Sequence, residues 1–475
     1  MRVLLINPPR HRGWMPVARE DRCETTISNV ISPMGLVYLA TWLIEQHHDV
    51  ELVDANGYNL SIDQVKETIE AKQPDCVIFK ATPETFYSDV LVADIAKKTN
   101  SSTLIIMICW TLSTLHTDVM QQAPSVDYYI TDFYYETPIL DILSGVDPEK
   151  IRGVARRDGE EVVATDPTHD PSVFSSLPAP AWHLIEDFSI YWVQVPSISP
   201  WTFVMSVKGC GKGCTFCTIS DIKPSFRDIN AIVDEIDYLV TERGLRYISF
   251  FDSTFNMNRA RVFNLCNELI ARGLDTKCRW YANVRASITK EEAEVMRDAG
   301  CRGVSIGVES GSQAVLDRAH KRTRVSQCEE AIKNLRSAGI KQYASFIVGL
   351  PGETRETMRQ TAKFIQSAKP TGFQVNSLVP YPGSAIYDVA VHEGKMEKCE
   401  FEDLLLYNTP VSLCDLSVDE INSYRKRIYR DVYLSPGWWL TNLREVIREP
   451  EDIRQGIDYA LKVTRRLLKG VEYEF

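Results

Sequence analysis

The chain has 475 residues, 44% hydrophobic and 25% charged, which is the balance of a globular protein long enough for two or three domains. A net charge of −11, from 53 basic against 64 acidic residues, argues against a general nucleic-acid surface, because phosphate binding concentrates Lys and Arg. Apolar stretches such as Thr103–Trp110 are too short for a membrane span and no secretory leader is read, so a cytoplasmic location is expected, with most of the 12 cysteines as reduced core thiols.

Strands are predicted at Arg2–Asn7, His48–Val53, Asp75–Lys80, Thr103–Ile108 and Asp127–Thr131. Helices are predicted after Pro33-Met34-Gly35 and over Ser61–Ala71. This alternation predicts a doubly wound, Rossmann-like parallel sheet over residues 1–176. Its ligand crevice would lie at the C-terminal strand ends, around Asn7, Asp54, Trp110 and Tyr134. Residues 177–200 read as a linker, since Pro178 and Pro180 refuse helix and central strand.

Cys210, Cys214 and Cys217 then stand in the run Gly-Cys-Gly-Lys-Gly-Cys-Thr-Phe-Cys. Three thiolates suit a [4Fe-4S] cubane with its fourth iron open, whereas a closed zinc site wants a fourth ligand, and the next Cys is Cys266. Gly209, Gly211 and Gly213 let the backbone wrap the ligands, Lys208 and Lys212 offset negative charge, and Phe216 can shield the cluster. Buried unligated thiols, or a zinc knuckle with a distant fourth ligand, are the alternatives.

From Thr202–Val207 onward six strand–helix units follow, with strands at Tyr247–Asp252, Cys278–Val284, Gly303–Val308, Gln342–Val348 and Phe373–Val379. A partial (β/α)6 barrel over 201–394 is expected, with chemistry at the C-terminal strand ends. Asp252, Glu309 and Ser310 lie at such ends, Asp252 equally placed to cap a helix, and Tyr281, Asn283 and Arg285 alternate on one face. Gly349-Leu350-Pro351 opens a turn into a helix, and Gln374 and Asn376 alternate on the last strand. Residues 395–475 read as a C-terminal helical domain over the barrel mouth, or else as a peripheral helix pair, with basic segments around Leu440–Leu468.

The cysteine spacing, the six units and the strand-end motifs together resemble the radical S-adenosylmethionine (SAM) superfamily. The resemblance runs from about Thr202 to Tyr387. It implies a [4Fe-4S] cluster on Cys210, Cys214 and Cys217, and SAM held among Phe216, Asp252, Arg285, Glu309, Ser310, Gly349 and Pro351. It further implies an external flavodoxin- or ferredoxin-type electron donor, and a 5'-deoxyadenosyl radical that abstracts hydrogen from a small molecule. Tyr281, Asn283, Tyr343 and Asn376 are the substrate-side candidates.

The first domain resembles the branch with an N-terminal cobalamin-binding domain, on Ile6-Asn7-Pro8-Pro9, Arg19-Glu20-Asp21-Arg22-Cys23, Pro33-Met34-Gly35-Leu36 and Val53-Asp54-Ala55. It departs where that family has a paired-glycine loop and an acidic glycine turn, which are here Cys109-Trp110 and Asp132-Phe133-Tyr134-Tyr135. Cobalamin is therefore not expected. The layout is similar to that of a radical SAM diol dehydratase of aminoglycoside (paromamine-type) deoxygenation, which implies a lyase of antibiotic biosynthesis acting on a cationic polyol, with a separate reductase. A cobalamin-dependent C-methyltransferase, or an iron–sulfur sensor or electron carrier, are the other readings.

Overall fold

The computed structural model describes residues 1–11, 29–193, 198–396, 401, 404 and 411–448, without the side chains of 29 and 443–448. Arg19–Cys23 and the basic segment beyond Arg448 lie outside these residues.

Near-continuous apolar runs make the parallel core of the first sheet. β1 (Arg2–Asn7) has five of six residues buried, and in β3 (Cys76–Lys80) all are buried, as strands covered on both faces require. With β2 (Asp49–Asp54), β4 (Leu104–Ile108) and β5 (Tyr128–Ile130), they pair in the order β2-β1-β3-β4-β5. α1 (Met34–Glu45) is apolar almost all round and buries nine residues, whereas α2 (Ile62–Lys72) buries only Val65 and Ile69 and starts on a Ser61–Gln64 capping box. A hairpin missed in the sequence, β6 (Val154–Asp158) and β7 (Glu161–Ala164), continues the sheet antiparallel beyond β5.

The second sheet takes its six strands in chain order, all parallel: β8 (Trp201–Val204), β11 (Tyr247–Phe250), β12 (Arg279–Val284), β13 (Cys301–Glu309), β14 (Lys341–Val348) and β15 (Gly372–Ser377). The expected first strand is shorter than predicted. It breaks at Met205-Ser206, and a two-residue strand, β9 (Val207–Lys208), pairs antiparallel with β10 (Ser225–Phe226) to close the neck of the cysteine loop. Along β12 and β14, buried and half-buried residues alternate strictly. The buried set packs against the outer helices, and Tyr281, Asn283, Arg285 and Tyr343 face the lumen.

The proline-rich stretch near 177–193 is irregular but packed. Trp182 and Tyr191 are completely buried in one core that also holds Tyr38 of α1 and Ile232 and Ile236 of the barrel helix α6 (Ile229–Thr241). The helix α13 (Val418–Tyr433) lies along the edge of the open barrel, closer to the peripheral placement than to a cover over the mouth, the two alternatives expected. Tyr429 stacks on Phe373 at 5.1 Å and its hydroxyl accepts the Val375 N–H at 2.8 Å, so the last strand's exposed edge is covered. Only the start of the helix reaches the mouth, where Ile421 packs on Gly349.

Candidate active site

Cys210, Cys214 and Cys217 lie on the loop closed by β9 and β10. Gly209, Gly211 and Gly213 all have positive φ, at 83°, 63° and 76°. At Gly209 a side chain is excluded outright, because a Cβ would stand 2.5 Å from the Lys223 carbonyl. Backbone bonds from Cys210 N to Ile222 O and from Gly213 N to Ser220 O fold the loop on itself. Phe216 packs partly buried at its end. Among the described residues no three His, Cys, Asp or Glu side chains gather as a group for a metal ion.

Asp252 is fully buried and both its oxygens serve the chain. It accepts bonds from Ser206 N (2.6 Å), Ser206 Oγ (2.6 Å) and Val207 N (2.9 Å). These bonds turn the chain out of β8 and into the cluster loop. Burial raises the carboxyl to about 6 against the opposing pull of those donors. The carboxylate expected at SAM is thus occupied elsewhere.

Glu309 ends β13 with φ +67°, at a bulge in the β13–β14 register, and its Oε1 accepts the Lys321 ammonium at 2.6 Å in a buried pair. Ser310 is fully buried, 3.3 Å from Thr361 Oγ1 and accepting the Ser312 N–H, so it ties the strand end to a helix and is closed to a ligand. Arg285 does not extend a fork toward a carboxylate. Its guanidinium donates to Lys321 O and to Thr323 Oγ1, holding the loop that carries Arg322. Arg322, which sequence reasoning missed, is exposed and lies against Gly213 of the cysteine loop: a Cβ there would be 3.5 Å from its Nη2. Pattern could not find it, since the contact joins positions 109 apart (322 against 213).

Gly349, φ +89°, and Pro351 form the loop after β14, and Gly349 N donates to the buried Glu353 carboxylate. In the lumen, Tyr281 and Tyr343 flank Gly303, where a Cβ would meet their rings at 3.0 and 3.3 Å. Gln374 Nε2 donates to Asn376 Oδ1 and Asn283 Nδ2 donates to Asp252 O. Ser305, between Asn283 and Tyr343 in register, is exposed, so this polar face of the sheet is open to water.

In the first sheet Asn7 donates to Asp54, which also accepts Tyr191 OH and Gly57 N. Trp110 packs edge-on against Phe133 (5.2 Å) and His169 (5.5 Å). Trp110 Nε1 and Thr131 Oγ1, at neighbouring strand ends, are buried without hydrogen-bond partners among the described residues. Asp132 bonds His169 Nδ1 at 3.0 Å, and although burial works to raise it, the bonds from His169 and Tyr134 N bring its carboxyl below the usual range. The Tyr134 side chain does not line the crevice as expected: its hydroxyl bonds to the cysteine loop.

Residues 204–365 match the model of the radical SAM superfamily. An uncharacterized methyltransferase of Pyrococcus horikoshii is 26% identical over 92% of this chain and 93% of its own. An anaerobic magnesium-protoporphyrin IX monomethyl ester cyclase of Rubrivivax gelatinosus is 28% identical over 86% and 73%. Among solved structures, the methyltransferase TsrM of Kitasatospora setae with cobalamin and [4Fe-4S] cluster bound superposes with TM-score 0.66 at 19% identity, over 83% of this chain and 75% of that one. The cobalamin-dependent enzyme OxsB with aqua-cobalamin and SAM bound gives 0.63 at 17%, over 90% and 60%. At such identities the likeness is one of fold.

These relatives correct two expectations. None of them supports the dehydration of a polyol, and the cobalamin in the solved neighbours removes the ground for disfavouring that cofactor. A radical SAM domain implies a [4Fe-4S] cluster, SAM, an electron donor and a small-molecule substrate. Among the described residues no helix is long and apolar enough to cross a membrane. Residues 204–365 thus match a radical SAM domain, and the fold of the chain as a whole is shared with solved cobalamin-binding enzymes that carry such a domain.

Proposed function

We propose that the protein is a radical SAM methyltransferase acting on a small biosynthetic intermediate. The observation that carries this reading is the match to a methyltransferase across nine-tenths of both chains, joined to a methyltransferase fold over both parts of the molecule. When bound, the cluster supplies an electron to SAM at its open iron and a corrinoid supplies a methyl carrier.

The chain's own residues divide the remaining work. Cys210, Cys214 and Cys217 hold iron. Arg322, beside Gly213, is the cation for the SAM carboxylate, with Arg285 fixing its loop. Glu309 takes the amino group or ribose of SAM, oriented by its buried pair with Lys321. The loop at Gly349 and Pro351 borders the adenine, and Phe216 covers the cluster. Tyr281, Asn283, Tyr343 and Asn376 bound the substrate in the lumen and limit water near the reacting carbon.

Cobalamin fits the chemistry of the crevice residues. A buried indole N–H and a buried hydroxyl without partners, at Trp110 and Thr131, suit the amide arms of a corrinoid, and the ring wall of Trp110 and Phe133 suits its aromatic base. Asn7 and Asp54, locked to each other, form the floor.

Protein produced with hydroxocobalamin, stripped of excess and reconstituted with iron and sulfide, should retain one corrinoid per chain by visible spectrum. With SAM and a low-potential reductant it should yield S-adenosylhomocysteine and a product heavier by one CH2. No retained corrinoid, or a product lighter by one water, overturns the proposal.

A further inference from the structure

Four consecutive residues at the end of the first sheet, Phe133-Tyr134-Tyr135-Glu136, reach across to the barrel and grip the neck of the cysteine loop. The Tyr134 hydroxyl lies 3.2 Å from the Lys208 carbonyl and 2.9 Å from the Lys223 carbonyl, and its proton serves both. The first belongs to β9 and the second stands two residues before β10, the strands that bracket Cys210–Cys217. The Lys208 ammonium is 3.2 Å from Glu136 Oε1, with both side chains only 4% exposed. It also stands 5.1, 5.3 and 4.1 Å from the ring centres of Phe133, Tyr134 and Tyr135. A buried ammonium needs a counter-charge and gains further from aromatic faces, and here the N-terminal domain supplies both.

We propose that this segment is a clamp for the iron–sulfur cluster, with Tyr134 as its positioning residue. The N-terminal domain thereby sets how firmly the barrel's cluster loop holds iron, whatever else that domain binds. The aromatic run that stands in place of a glycine turn has this use: rings with a hydroxyl and a carboxylate span the gap to Lys208 and Lys223, which glycine cannot. The inference rests on the assignment of the cluster to Cys210, Cys214 and Cys217.

The test uses full-length, iron-loaded protein without oxygen, in three forms: wild type, Tyr134→Phe and Tyr129→Phe. Both variants delete one buried hydroxyl from the same domain. Tyr129 donates to the Cys109 carbonyl at 2.6 Å, away from the cysteine loop, and controls for general weakening. Tyr134→Phe should release iron to a chelator roughly fivefold faster, the factor equivalent to about 1 kcal/mol for one lost hydrogen bond. It should also alter the electron paramagnetic resonance spectrum of the reduced cluster with SAM, while Tyr129→Phe matches wild type in both. Equal rates and spectra for Tyr134→Phe and wild type, or equal acceleration in both variants, overturn the inference alone. Wild-type protein that takes up no iron, or a Cys214→Ala variant that keeps a full cluster, overturns the cluster assignment and the inference with it.

Discussion

Glu353 sits under the loop after β14 with no exposed surface, accepting the Gly349 N–H, and burial raises its carboxyl from the usual 4.5 to about 7. Between those values the folded chain keeps a proton that the unfolded chain has released. Its contribution is therefore fully present below about pH 4.5 and is lost as pH rises to about 7, a change on the order of 3 kcal/mol. Glu353→Gln keeps an acceptor for Gly349 and cannot ionise. Urea unfolding should show the variant more stable than wild type at pH 8 and close to it at pH 5; an unchanged pH slope would refute this. The residue stands two positions beyond Gly349-Leu350-Pro351 in the chain, and its burial is not written in that run. Asp252 shows the converse: its position at a strand end suggested a ligand contact, and three donors from Ser206 and Val207 turned it inward.

At the scale of elements, β13 carries the most constrained geometry of the candidate site. The register slips between Gly307 and Glu309, Glu309 takes a positive φ, and a Cβ on Gly307 would stand 2.6 Å from Glu309 Oε1 and 2.9 Å from Lys321 Nζ. Gly307→Ala should therefore displace the ion pair, with a loss of roughly 1–3 kcal/mol in stability and weaker SAM binding by equilibrium dialysis. Unaltered SAM affinity would remove Glu309 from the SAM pocket. The strand itself was legible from its apolar alternation, but the bulge depends on how β13 meets β14. The same holds at β15, whose edge is closed by α13: residues 395–475 read only as helical, and packing of Tyr429 on Phe373 decided that this helix covers the strand edge more than the mouth.

Across the whole molecule, one buried network ties both sheets together. Glu235 of α6 accepts Tyr38 OH (3.0 Å), Trp182 Nε1 (2.8 Å) and Arg227 NH1 (2.6 Å), with Glu235 and Arg227 side chains at most 1% exposed. These partners come from the first domain, the proline-rich segment and the barrel, so Glu235→Ala should destabilise the molecule by about 3–5 kcal/mol, through the uncompensated Arg227 charge. Denaturant unfolding measures this, and a loss below about 1 kcal/mol would show that the network is not what joins the parts. Sequence alone determined the alternation of strands and helices in both halves and the three-thiolate loop, because periodicity and ligand spacing are local properties of a chain. Tertiary structure decided which polar groups are available for chemistry: Asp252, Arg285, Ser310 and Tyr134 are engaged by partners between 36 and 89 residues away, while Arg322 is brought to the cysteine loop. Such pairings arise from packing across elements, and no short-range signal in the chain encodes them.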